Sequence, residues 1–186
     1  MSPGKDRYPV ASTGATVTLL HGRNDAPPSW DKHFASGDLR SRQRNAISII
    51  AKLEFHGRSV LFTGDSVGLD RYGQSKVEAP CVATEQDLVQ GHNSKDFDLA
   101  SDVLIAPHHG SSNGSCLEFI KTVSPRWTIF ASGNGHRHPT KTVVSRYLKA
   151  GIATSRIFRT DRGDNEGGSE WKSAETLRYP LISGRR

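Results

Sequence analysis

The spacing of hydrophobic positions changes along the chain, and the changes outline its elements. Residues 15–21, ATVTLLH, read as a strand ending on His21. The next 23 residues, GRNDAPPSWDKHFASGDLRSRQR, are rich in Pro, Gly, Asp and Arg and carry no period, which predicts a long polar surface loop over 22–44. NAISIIAKLEF (45–55) alternates as a strand, HGR (56–58) makes a tight turn, and SVLFT (59–63) pairs back as the other arm of a hairpin. Between 66 and 98 the pattern weakens to one helix inside EAPCVATEQDLVQ and a polar loop, GHNSKDFD. Strands and helices then alternate: SDVLIAP as strand, CLEFIKTV as helix, RWTIFAS as strand, TKTVVSRYLKAG as a helix closed by Gly151, and SRIFRT as strand. SEWKSAETLRYPLI predicts a last edge strand before a frayed basic tail, SGRR. The alternation predicts an α/β fold.

A chain of 186 residues suits one domain with a real core, and 34% hydrophobic residues with 18 glycines predict a generous share of loop. The net charge of +6 is compatible with a phosphate-bearing substrate, and equally with a solvated basic face. Cys81 and Cys116 make neither a disulfide framework nor a CxxC metal knuckle, so a reducing compartment is the expectation. The start, MSPGKDRYPVASTG, lacks the apolar core of a signal peptide, and no apolar run approaches the ~18–20 residues that span a bilayer. A soluble, cytoplasmic chain without a membrane segment follows as the expectation.

Three strands end in residues that bind metals or carry protons. Asp65 follows SVLFTG, His108 and His109 follow DVLIAP, and His136 and His138 follow WTIFASGNG. In an α/β sheet the crevice beyond the carboxyl ends of parallel strands is where such residues meet. Gly64, Gly110, Gly133 and Gly135 permit tight turns there. GSSNGS (110–115) adds the oxygens and amide of Ser111, Ser112 and Asn113 at a helix start, suited to an anion or simply to capping by Ser112 or Ser115.

The order NAISIIAKLEFHGRSVLFTGD, SDVLIAPHHGSS, SPRWTIFASGNGHRHPTKTVVSRYLKAG and RIFRTDRG resembles the soluble hydrolase domain of ComEC-type DNA-uptake proteins, within the metallo-β-lactamase fold superfamily. The resemblance is strongest over 45–163 and implies that 1–186 is a single partial domain, the C-terminal half of a four-layer αββα sandwich. It also implies a metal site, usually of two zinc ions, with zinc or manganese suiting carboxylate and imidazole donors. Asp65 matches the bridging acid and His109 the last histidine ligand, with His108 beside it touching substrate. His138 matches a late His-Pro that contacts the scissile phosphate or protonates the leaving oxygen.

The superfamily's HxHxDH motif is absent upstream of Asp65, and the 64 residues before that acid are too few for the whole N-terminal sheet. Asn45 stands where a further histidine ligand often opens the hairpin, and His21 is a candidate substitute. Two readings follow. One is a metal-dependent hydrolase domain acting in its complete form on a phosphodiester, plausibly DNA, with Arg23, Arg40, Arg42 and Arg44 available to phosphates. The other is a non-catalytic binding or assembly module of the same fold. Either way half a sandwich leaves a sheet face without cover, which predicts a homo-oligomer or a partner chain that supplies the missing half.

Overall fold

A computed structural model of the chain describes residues 6–10, 14–34, 39–133 and 137–161. Among them seven strands form one sheet in sequential order: β1 (Asp6–Val10), β2 (Ala15–His21), β3 (Ile50–Phe55), β4 (Arg58–Phe62), β5 (Val103–Ile105), β6 (Trp127–Phe130) and β7 (Ile157–Arg159). β1 to β4 pair antiparallel, and β4 to β7 pair parallel. Four helices accompany them: α1 (Leu39–Ala46), α2 (Ala83–Asn93), α3 (Leu117–Val123) and α4 (Lys141–Lys149). The α/β expectation is met by this mixed sheet.

Local chemistry explains the joints. The β3–β4 hairpin turns on His56 and Gly57 at φ 46° and 71°, the consecutive left-handed pair whose twist suits a two-residue loop. Parallel neighbours need crossovers, and α2, α3 and α4 supply them. Because the parallel strands follow one another in one direction and crossovers share one hand, these helices fall on the same face of the sheet. There Leu61, Leu104, Phe130 and Ile157 pack with Leu88, Phe119, Ile120, Val143 and Tyr147 in the main core.

The stretch expected as loop over 22–44 is not loop throughout. It holds a 3₁₀ turn at Pro28–His33 and most of α1, which runs on to Ala46, so the strand expected from 45 begins at Ile50. Leu, Arg, Gln and Ala in LRSRQRNA favour helix, and Trp30, Phe34 and Ala46 bury into a second small core with Val67, Val82 and Ala83. β1 is an addition to the expected elements; its Pro9 is tolerated because the strand lies at the sheet edge. The expected strand in SEWKSAETLRYPLI, the SGRR tail and His136 lie outside the described residues. Among the described residues no helix is long and apolar enough to cross a membrane.

The cysteine expectation is overturned. Cys81, just before α2, is bonded to Cys116, just before α3, across 35 residues of chain. Two cysteines far apart in sequence meet because α2 and α3 lie side by side on the sheet. The argument for a reducing compartment from unpaired thiols therefore loses its premise. In the chain-entropy account, closing a loop of this length stabilises the fold by about 4 kcal/mol. Replacing Cys81 and Cys116 together by Ser is expected to lower the denaturant midpoint by a corresponding amount, and an unchanged midpoint would show that the bond contributes nothing.

Candidate functional site

The parallel strands deliver their carboxyl ends to one edge. Asp65 lies three residues past β4, Pro107–Gly110 two past β5, residues 131–133 just past β6, and Asp161 two past β7. The turn after β5 is unusual: His108 (φ 46°, ψ 46°) and His109 (φ 57°, ψ 12°) are both left-handed, a conformation that L residues with side chains adopt only when their surroundings impose it. Backbone bonds impose it here. His108 N donates to Gly64 O (2.9 Å), Ser111 N to His108 O (2.7 Å) and Thr140 N to Gly110 O (3.0 Å), joining the ends of β4, β5 and β6. A Cβ on Gly110 would strike Pro139 and Phe130 at 2.6–2.7 Å, so the turn is also closely covered.

Asp65 and His109 meet. His109 Nδ1 lies 2.6 Å from Ala131 O, and because a carbonyl only accepts, Nδ1 carries a proton. The other ring nitrogen, Nε2, lies 3.3 Å from Asp65 Oδ1. With Nδ1 as the donor, the neutral ring presents a lone pair to a carboxylate, an arrangement that requires a cation between them, either a proton or a metal. Neighbouring ligands on a tetrahedral ion with bonds of about 2.0–2.1 Å are separated by about 3.4 Å, so the donor pair fits one. Supporting bonds fix both groups. Asp65 N donates to Ser48 Oγ (3.1 Å), Ser132 Oγ to His109 O (3.1 Å), and Thr160 Oγ1 to Ser132 O (3.0 Å). The pair is open to solvent, with side chains 42% and 50% exposed.

His108 and His138 stand beside it. The His108 ring centroid is 6.2 Å from each of the His109 and His138 rings, and its Nε2 is 3.5 Å from Asn45 Nδ2 at the end of α1. A cis His138–Pro139 bond turns the chain here, and Arg159 donates to His138 O (3.2 Å) while pairing with buried Asp161 at 2.6 Å. Four of the expected site residues, Asp65, His108, His109 and His138, thus gather at one edge. Among the described residues no group of three or more His, Cys, Asp or Glu side chains forms a metal cluster. His21 belongs to another group: its ring nitrogens face Ser48 O (3.5 Å), Arg23 (3.4 Å) and Asp87 (3.8 Å), and its side chain is buried. The carboxyl of Asp87 is held below its ordinary value by hydrogen bonds and charge from His21 and Arg23, which outweigh its burial.

Ser111, Ser112 and Asn113 form the rest of the loop. Ser112 Oγ donates to Gln74 Oε1 (3.2 Å), and Asn113 O accepts from Gly68 N and Leu69 N (2.9 Å each), so these two tie the loop to residues 68–74.

Sequence reasoning missed what lies beneath. Arg146, fully buried on α4, donates to the carbonyls of Gly73, Gln74, Lys76, Ser112 and Gly114. Glu85, fully buried on α2, accepts from Ser115 N (2.6 Å) and Cys116 N (2.7 Å). A Cβ on Gly68 would sit 1.8 Å from the Glu85 carboxylate, so that position must remain glycine. An arginine in an amphipathic helix and a glutamate in a helix's first turn both look like surface residues, and no local pattern marks them otherwise.

No family model matches the chain. It is 33% identical over 138 residues to a protein described as competence protein ComA of Neisseria gonorrhoeae, a match that takes in 71% of this chain and 17% of that protein. The identity supports a ComEC-like relationship. The chain therefore spans about a sixth of the length of the curated relative it matches.

Burial raises the Glu85 carboxyl from its ordinary 4.5 to about 7, against the opposing pull of the Cys116 and Ser115 amides and Arg146. The folded state thus holds a proton that the unfolded state releases near 4.5. This contribution to stability is fully present below about pH 4.5 and is lost as pH rises through about 7. The thermal midpoint is expected to fall between pH 5 and 8, and the fall to shrink in Glu85→Gln, as read by circular dichroism in matched buffers. Arg146→Lys keeps the charge but cannot span five carbonyls; it is expected to cost ~3 kcal/mol or more in denaturant unfolding.

Proposed function

We propose that this chain is the metal-binding, substrate-contacting half of a ComEC-like hydrolase domain that cleaves phosphodiesters in DNA uptake during competence. The observation that carries the reading is the Asp65–His109 pair, with its proton fixed on the far ring nitrogen and its near nitrogen 3.3 Å from the carboxylate. Asp65 and His109 would hold zinc or manganese, which when bound supplies a nucleophilic hydroxide near neutral pH and a positive charge for phosphate oxygens.

The chain's own residues do the rest. His108 and His138, whose rings lie 6.2 Å apart on adjoining turns, would contact the phosphate, and His138 would give a proton to the leaving oxygen. Ser111 offers a hydroxyl at the loop's outer turn, while Ser112 and Asn113 hold the loop's shape. Arg40 and Arg44 are exposed and four residues apart on one face of α1, whose end bears Asn45 beside His108, a placement that suits a phosphate backbone reaching the site. The partial αββα sandwich belongs to this proposal as well.

The lack of an HxHxDH motif upstream of Asp65 supports a second reading, a binding or assembly module of the same fold without a working metal centre. One experiment separates them: elemental analysis of purified chain after zinc or manganese loading, with bis-phosphoester hydrolysis on the same samples, beside Asp65→Asn and His109→Gln. About one metal per chain, lost in both variants, supports the first reading. Metal-free protein that still binds DNA, with affinity unchanged by Asp65→Asn, supports the second.

A further inference from the structure

Beside the donor pair, the site edge holds a buried ion pair to which the hydrolytic reading gives no role. Arg159, the last residue of β7, and Asp161, two residues on, have side chains only 6% and 2% exposed. Arg159 Nε donates to Asp161 Oδ1 (3.0 Å) and Nη2 to Asp161 Oδ2 (2.6 Å), the two-point fork that a guanidinium makes with a carboxylate. Nη2 carries two hydrogens, and the second goes to His138 O at 3.2 Å. A buried ion pair gains little stability over apolar packing, so its presence calls for another reason. The geometry supplies one, because the pair also holds a neighbouring loop.

The pair lies where the turns after β5, β6 and β7 meet. Thr160, between its members, donates from N to Phe130 O (3.1 Å) and from Oγ1 to Ser132 O (3.0 Å), while Ser132 Oγ donates to His109 O (3.1 Å). From the other side Thr140 N donates to Gly110 O (3.0 Å), and a Cβ on Gly110 would lie 2.6 Å from Pro139. His138 is thus fixed at its own carbonyl by Arg159 and, through the two residues after it, against the turn that bears His109. Its ring stands 6.2 Å from that of His108.

We propose that Arg159 and Asp161 are positioning residues that aim His138 at the leaving oxygen of the substrate, which rests on the hydrolytic reading above. Asp161 sets the plane of the guanidinium by holding it at two points, and the guanidinium sets where the His138 backbone lies. In the step they serve, a hydroxide oxygen joins phosphorus and the bond from phosphorus to the leaving oxygen breaks. That oxygen takes the proton of the His138 imidazolium and departs as an alcohol, and the imidazole recovers a proton when the next water ionises. A proton donor works only within hydrogen-bond reach of the atom it protonates, so a small displacement of His138 removes its contribution. Lysine keeps the charge of Arg159 but has a single nitrogen, and it cannot grip both carboxylate oxygens and still reach the carbonyl.

Leaving groups provide the test. A nitrophenolate departs as a stable anion without a proton, whereas the sugar oxygen of a dinucleotide needs one. In the full chain loaded with zinc, Arg159→Lys is expected to slow hydrolysis of a dinucleotide about tenfold or more relative to that of a bis-nitrophenyl phosphate, with zinc per chain unchanged. His138→Gln is expected to show the same relative fall, and Arg159→Lys added to it no further one. Equal losses on both substrates, loss of zinc, or a further relative fall on top of His138→Gln would show a merely structural role and overturn the proposal. If Arg159→Lys does not fold, Arg159→Gln with Asp161→Asn takes its place, because both charges then leave together. A wild-type chain that cleaves neither diester counts against the hydrolytic reading, and the positioning is then read from imidazole resonances in nuclear magnetic resonance, His138 being identified by its loss in His138→Gln. The His138 signal is expected to broaden or split in Arg159→Lys while that of buried His21 holds; an unchanged His138 signal would overturn the proposal.

Discussion

Sequential pairing of the parallel strands is the constraint from which the other features follow. β4, β5, β6 and β7 lie side by side in chain order and point the same way. Crossovers of a single hand must then return on one side, so α2, α3 and α4 build one core and, among the described residues, leave the opposite face without a helix. The same order aligns four carboxyl ends along one edge, which is why residues as distant in sequence as Asp65 and His138 occupy one neighbourhood. A doubly wound sheet, whose order reverses, would cover both faces and confine its crevice to the reversal point. Here the helix-free face and the long site edge have a common cause.

The loop at that edge is expensive to hold, and the interior reflects it. Two successive left-handed histidines are unfavourable on their own, and residues 110–115 leave backbone groups facing inward. Arg146 and Glu85 satisfy those groups from opposite sides, the guanidinium taking carbonyls and the carboxylate taking amides. Burying such polar side chains is a poor way to gain stability compared with apolar packing. It does fix one loop geometry, since removing either side chain would leave buried backbone groups without a partner. Ser115 Oγ and Tyr147 OH, 3.0 Å apart, extend the network, and the disulfide fixes its buried end at Cys116.

What the sequence disclosed and what it hid divide along the same line. Strands β2 to β7, the hairpin turn at His56 and Gly57, and the convergence of Asp65 with His108, His109 and His138 were legible because each depends on local period or on strand direction. α1 was hidden because an arginine-rich segment has little apolar period, and its anchor, Ala46, acts through contacts with residues near 82. The cysteine pair, Glu85 and Arg146 were hidden for a related reason: their roles depend on partners 30 to 73 residues away, which no window of sequence contains.

The remaining step concerns how the site and the helix-free face relate. Metal binding would act on Asp65 and His109, whose supports run to Ser48, Ala131 and Ser132 at the edge. The outward side chains of the central strands point the opposite way from the core that carries Arg146 and Glu85. Phe62 is the place where the two come closest, since β4 ends there and three residues later delivers Asp65. The segment between them is held by short bonds: Thr63 Oγ1 donates to Ile105 O (2.6 Å), Asp65 N to Ser48 Oγ (3.1 Å), and Gly64 O accepts from His108 N (2.9 Å). The presentation of the carboxylate and the left-handed turn at His108 thus depend on one short stretch of chain, residues 62–65.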